Sequence, residues 1–270
     1  MITKSFMFLE GIGQETEHTL WKQGIEDWHA FLEAKKIKGI SEKRKYYYDR
    51  LLHQARRELY SFNASFFTSL IPLAETWRLY DFFKEEAVFL DIETAGMNMH
   101  DDITVVGLYD GITTKTMVRG INLNYQELKE ELSRYSMIVT FNGATFDLPY
   151  LKKRYPELLP HIPHVDLRTV TARLGYHGGL KSIEKEFSIT RRELVSRLHG
   201  GDAVTLWRMY YGSGDDHYLK LLIEYNEEDV INLKKIADIC TKRMEHRLIG
   251  DLKEESQDQK NSNNSIQKEI

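Results

Sequence analysis

Cysteine is nearly absent from this chain of 270 residues, and the single Cys240 rules out an intrachain disulfide and any multi-cysteine zinc site. A reducing, cytoplasmic setting is expected. Long apolar runs are missing too: nothing approaches the roughly eighteen residues of a membrane span, and the broken run before Gly13 is too short for a secretory core. Neither export nor membrane spanning is expected. Charge of one sign is scarce as well, with 37 Lys and Arg against 41 Asp and Glu for a net −4. That balance excludes a protein holding nucleic acid by a strong overall field, while leaving local patches open. No His-Glu-x-x-His, Gly-x-Ser-x-Gly or Gly-Lys-Ser motif occurs, which removes support for zinc-hydrolase, serine-hydrolase and nucleoside-triphosphatase chemistry. What is present, 41% hydrophobic and 29% charged residues at a mean hydropathy of −0.48, is a globular composition. The length fits one large domain, or a catalytic domain with a smaller companion.

Along the chain, residues 14 to about 80 carry apolar residues at helical spacing (Leu20, Ile25, Trp28, Phe31, Leu51, Leu59), so residues 1–83 are expected to form an N-terminal helical segment. Its opening, Leu9-Glu10-Gly11-Ile12-Gly13, resembles helix-hairpin-helix modules that grip a DNA phosphate through backbone amides, although Glu15 and Glu17 would repel one. From Ala87 the texture changes. Val88 to Leu90, Ile103 to Tyr109 and Lys115 to Arg119 read as three antiparallel strands. A helix (Asn124 to Arg134), a strand (Met137 to Phe141), a helix from Asp147, a strand near His164 and a long final helix from Tyr218 follow. An α/β fold with a mixed sheet flanked by helices is expected over 84–249. The Lys-, Glu-, Ser-, Gln- and Asn-rich residues 250–270 read as a disordered tail.

Three acidic pieces carry chemistry. In Asp91-Ile92-Glu93, strand alternation turns both carboxylates to one face while Ile92 enters the core. Two adjacent carboxylates repel unless a cation lies between them, and oxygen-only ligands suit Mg²⁺ or Mn²⁺. Asp147, in Asn142-Gly143-Ala144-Thr145-Phe146-Asp147, falls at a helix start, where capping is the simpler role. Tyr225 and Asp229 lie a turn apart on the final helix.

In that order the pieces resemble the proofreading-type 3′→5′ exonucleases of the ribonuclease H-like superfamily, the DEDDy class with four acids and a tyrosine. Phe89-Leu90-Asp91-Ile92-Glu93-Thr94 is similar to the first motif, Asn142-x-x-x-Phe146-Asp147 to the second and Tyr225-x-x-x-Asp229 to the third. The second motif with Pro149-Tyr150-Leu151 is similar to the exonuclease domain of B-family DNA polymerases. Gly179-Leu180-Lys181-Ser182-Ile183-Glu184 and Tyr225-Asn226-Glu227-Glu228-Asp229-Val230 resemble YprB-like ribonuclease H-like domains. The resemblance implies a metal-dependent 3′→5′ exonuclease acting on single-stranded DNA ends. Asp91, Glu93, Asp147 and Asp229 would hold two divalent ions, Mg²⁺ or Mn²⁺, about 4 Å apart. Tyr225 would orient water or contact the scissile phosphate, because a phenol near pKa 10 is no ordinary base. Thr94, Asn142 and Phe146 are candidates for binding the terminal nucleotide, Asn142 through its amide and Phe146 by stacking.

A competing third motif, His161-x-x-x-x-Asp166, has the spacing of the histidine subclass, but Ile162, Pro163 and Val165 suggest an extended segment. Setting aside the four proposed ligands leaves 37 acids against 37 bases, so the scaffold is neutral. Lys43-Arg44-Lys45, Lys152-Lys153-Arg154 and Arg191-Arg192 are candidate phosphate tracks, with Tyr46-Tyr47-Tyr48 beside the first. RNA is the alternative substrate, since such a site does not read the 2′ hydroxyl. A catalytically idle nucleic-acid-binding module is the other alternative.

Overall fold

The computed structural model describes residues 1–96, 98, 100–198 and 200–266, without the side chains of 249 and 251–266. The chain divides into two compact units, one of Met1–Phe82 with Thr241–Ile270 and one of Phe83–Cys240. Among the described residues no helix is long and apolar enough to cross a membrane.

The first unit contains α1 (Gln14–Lys22), α2 (Trp28–Glu33), α3 (Glu42–Tyr60), α4 (Ser65–Thr68) and α5 (Trp77–Phe83), the last ending at the unit boundary. Phe6, Phe8, Phe31 and Phe67 fill its core and meet Trp28 and Tyr48 ring to ring. A buried charge sits at its centre: Arg78 pairs with Glu17 (2.8 Å) and Glu75 (2.6 Å). Glu17 therefore faces Arg78 in the core and repels nothing at the Gly-Ile-Gly turn. That turn, with Gly11 at φ +77°, is preceded only by the 3₁₀ turn Ile2–Lys4 and followed by α1, and Tyr48 Oη donates to Glu10 O at 2.6 Å.

The second unit is built on a five-stranded sheet of order β3-β2-β1-β4-β5: β1 (Ala87–Thr94), β2 (Ile103–Tyr109), β3 (Thr114–Val118), β4 (Met137–Thr140) and β5 (His164–Asp166). The first three are antiparallel, and β4 and β5 run parallel to β1. Helix α6 (Tyr125–Leu132) leads into β4 and α7 (Asp147–Arg154) leaves it; α8 (Leu167–Arg173), α9 (Leu180–Glu186), α10 (Glu193–Ser196), α11 (Gly200–Ser213) and α12 (Asp216–Ile266) follow. As a central strand covered on both faces, β1 is apolar through Leu90. Val88, Leu90 and Ile92 join one core with Leu128, Leu132 and Leu151; on the other face Val105 and Val118 meet Trp207, Leu222 and Tyr225.

Helix α12 runs on to Ile266, so the backbone is helical over most of the expected tail, in keeping with the helix-forming Glu, Lys and Gln there. Residues 267–270 of that tail lie outside the described residues. From Thr241 onward α12 belongs to the first unit, whereas the sequence assigns residues up to 249 to the sheet domain.

Candidate active site

The site forms where the end of β1 meets α12. Asp91 and Glu93 flank buried Ile92, as alternation requires, and a carboxylate oxygen from each lies within 4.8 Å of the other and of one from Asp229. Such an all-carboxylate donor set fits a hard divalent cation. On α12, Tyr225, Asn226, Glu228, Asp229 and Asn232 are buried alongside Leu222 and Leu233. Polar groups at core positions of a helix signal a site, because each must find a partner. Asn226 finds one in Asp91, donating Nδ2 to Oδ2 at 2.9 Å. The space for that amide comes from β2: Gly107 pairs with Asp91 in register, and a Cβ there would collide with Asn226 Oδ1.

Asp147 joins the cluster electrostatically but lies outside the set of three ligand oxygens. It is the first residue of α7, yet instead of capping that helix its Oδ1 accepts from Ile92 N (3.0 Å). The pairing of β1 with β4 ends at Phe89, so Ile92 N–H has no strand partner on that edge and the carboxylate satisfies it. The loop carrying Asp147 is braced by Asp166, whose oxygens accept from Asn142 N (2.8 Å), Ala144 N (3.0 Å) and Arg168 N (3.0 Å). At the end of β4, Gly143 N donates to Thr140 Oγ1 at 3.1 Å, and a Cβ at Gly143 would strike the same hydroxyl.

Crowded carboxylates resist ionisation. Burial, then repulsion from Asp147, Asp229 and Glu93, push Asp91 well above the usual carboxylate range. Burial, then Asp229 and Asp147, do the same to Glu93. Burial raises Asp147 to about 7 against the pull of its backbone hydrogen bonds. It raises Asp229 to about 6 against the pull of Arg191. Arg191 is the cation of the site: Nη2 ion-pairs with Asp229 Oδ1, and Nε and Nη2 grip Glu184 at 2.7 Å each. Its side chain is only 4% exposed, and Nη1 is buried without a hydrogen-bond partner among the described residues. Lys181 Nζ is likewise buried and unpartnered. Lys181 Nζ and Arg191 Cζ lie 5.1 and 5.5 Å from the ring centroid of Tyr225. Burial, then Asp229, Glu93 and Asp91, hold the Tyr225 hydroxyl well above its ordinary value, so it stays protonated.

The remaining candidates make contacts of their own. Thr94 is buried, with Oγ1 donating to Gly96 O (2.6 Å). Asn142 adopts φ +67°, a conformation asparagine tolerates, and its Oδ1 accepts from Arg168 (2.7 Å) and Thr145 (2.9 Å). Phe146 is half-buried against Tyr150, 4.8 Å between ring centroids. His161 is exposed, and Asp166 is occupied with backbone amides.

The basic pair Arg191-Arg192 is not a surface track: Arg191 is buried and Arg192 pairs with Glu228 at 2.6 Å. Arg154 of the second cluster pairs with Asp102 at 3.3 Å. The sequence assigns no site role to Asn226, Gly107, Lys181 or Glu184, and Arg191 only a place in a basic pair. Their only signals are a glycine inside a strand, an asparagine beside the third motif and the Gly179–Glu184 pattern.

Residues 88–241, more than half of the chain, match the family model of the RNase H superfamily, and the chain belongs to that superfamily. Among solved structures, the family B DNA polymerase from the hyperthermophilic archaeon Pyrobaculum calidifontis is similar at 16% identity with a TM-score of 0.45. The match covers 56% of this chain and 23% of the polymerase, so the chain spans under a quarter of that protein. No curated protein matches the chain.

Proposed function

We propose that this chain is a metal-dependent 3′→5′ exonuclease that hydrolyses phosphodiester bonds at single-stranded DNA ends. The observation that carries the reading is the meeting of Asp91, Glu93 and Asp229 oxygens within 4.8 Å in a chain of the RNase H superfamily. The motif order supports the 3′→5′ polarity. Asp91, Glu93 and Asp229 would hold the divalent ions, with Asp147 completing the set from α7. When bound, Mg²⁺ or Mn²⁺ would ease deprotonation of the attacking water and neutralise phosphate charge.

The chain's own groups do the rest. Asn226 fixes the rotamer of Asp91, and Gly107 leaves room for it. Tyr225, kept protonated by its surroundings, donates its hydroxyl to a phosphate oxygen or to the attacking water. Arg191 Nη1 and Lys181 Nζ hold uncommitted donors beside that ring, suited to phosphate oxygens.

A time course with 5′-labelled single-stranded DNA and Mg²⁺ or Mn²⁺, run beside Asp91→Asn and a matched RNA strand, tests the reading. The expected result is a metal-dependent ladder that shortens from the 3′ end and is absent in the variant. Faster loss of the RNA would reassign the substrate. No product with either metal and either strand would reject the nuclease reading.

A further inference from the structure

Most arginines of the second unit are spent on acids: Arg119 and Arg154 on Asp102, Arg134 on Glu131, Arg191 on Asp229 and Glu184, Arg192 on Glu228 and Arg197 on Glu193. Helix α3 in the first unit differs. Ser41 starts it by accepting from Arg44 N (3.3 Å), and Lys45, Tyr48, Leu52, Ala55 and Leu59 alternate at three and four residues along its buried face. Lys43, Arg50 and Arg57 lie exposed on the opposite face and Arg44 and Arg56 lie exposed on its flanks, none of them with an acidic partner among the described residues. Asp49 within the helix is taken by Lys45 at 2.6 Å.

Large rings stand among these cations: Tyr46 is 69% exposed, Tyr47 49% and Tyr60 62%. Tyr47, Arg50, Gln54, Arg57 and Tyr60 follow one another at spacings of three and four and so form one stripe. A depression of about 880 Å³ lies along it, lined by Tyr47, Arg50, His53, Gln54, Arg57 and Tyr60. A second, of about 460 Å³, shares Tyr47 and reaches Lys43 and Arg44. From Lys43 to Tyr60 the stripe is about 25 Å long at the rise of an α-helix.

We propose that this face of α3 is a binding platform for single-stranded nucleic acid, distinct from the acidic cluster. Unpaired arginines suit a phosphate backbone, and exposed tyrosines between them suit unstacked bases. A membrane surface would ask for an aliphatic stripe, and Leu51 alone is not one. The proposal rests on nucleic acid being the substrate class of this chain, but not on the acidic cluster being catalytic. Its binding needs no metal.

The test is fluorescence anisotropy of a labelled oligothymidylate in EDTA, with intact full-length protein checked for folding by thermal melting. Arg50→Glu/Arg57→Glu is expected to weaken binding roughly tenfold or more and to flatten the dependence of log K on log salt by about 1.4. Tyr47→Ala is expected to weaken binding by roughly fivefold or more. Arg119→Glu/Arg134→Glu makes the same change in net charge at paired positions and is expected to leave binding within about twofold, as loss of net charge alone would not distinguish the sites. Equal weakening in both double variants, unchanged binding in the α3 variants, or no binding by the wild type overturns the platform. A polyglutamate of matched charge that binds as tightly as the strand also overturns it and points to an acidic polypeptide. Failure of cleavage with binding retained rejects the nuclease reading and leaves the platform standing.

Discussion

Arg191 links the acidic cluster to its surroundings, because Asp229 and Glu184 share it and all three side chains are under one-tenth exposed. Removing one partner of a buried charge network leaves the others without compensation. Arg191→Met should therefore lower metal-free stability by about 3–5 kcal/mol in chemical denaturation. Saturating Mn²⁺ should restore part of the loss by neutralising Asp229. A loss that Mn²⁺ does not reduce would separate Arg191 from any metal site. Gly107 acts by having no side chain: Gly107→Ala pushes the Asn226 amide from its place and should cost about 1–3 kcal/mol, read as a lowered denaturation midpoint. The meeting of Asp91, Glu93 and Asp229 was legible in the sequence because ordered carboxylate motifs survive without knowledge of contacts. The pairing of Arg191 with Asp229 and of Asn226 with Asp91 was not, since it joins residues distant in sequence.

Among the elements, the loop between β4 and α7 shows how a strand end aims a carboxylate. Asp166 on the neighbouring β5 gathers three backbone amides, two of them in that loop, and Asp147 then reaches across to Ile92 of β1. Asp166→Ala should destabilise the fold by about 1–3 kcal/mol and speed hydrogen exchange at Asn142 and Ala144. Unchanged exchange there would contradict the brace. Strands β1 to β5 were readable from apolar runs and turn residues, and alternation carried β1 as far as Glu93, but its irregular end was not legible. It continues to Thr94 because β2 pairs with it that far, through a register shift at Glu93/Thr94. The α12 pattern was legible as a long helix, while its passage from one compact unit to the other depends on contacts that periodicity does not record.

For the whole molecule, the crowded carboxylates link stability to pH and to metal. Asp91 and Glu93 titrate well above their usual range and Asp147 near 7 when folded, so above about pH 6.5 the native state holds more protons than the unfolded chain. Stability must then fall as pH rises. His164, buried and lowered to about 4, adds the opposite slope only below about pH 6.5, where its unfolded form charges. In EDTA the melting temperature should therefore drop from pH 6.5 to 8. Mn²⁺ should raise it more at pH 8 than at pH 6.5, because protons and metal compete for the same oxygens. A flat profile in EDTA would remove the carboxylate crowding from the account.

The neutral scaffold expected from composition is uneven in three dimensions, with acids gathered at β1 and α12 and, among the described residues, arginines without acidic partners along α3. If Asp91, Glu93 and Asp229 form a divalent-metal centre, Mn²⁺ titration followed by electron paramagnetic resonance will register it. Saturable binding by the wild type, weakened roughly tenfold or more in Asp91→Asn, is the predicted result. Equal binding by the two proteins, or none by either, would contradict it.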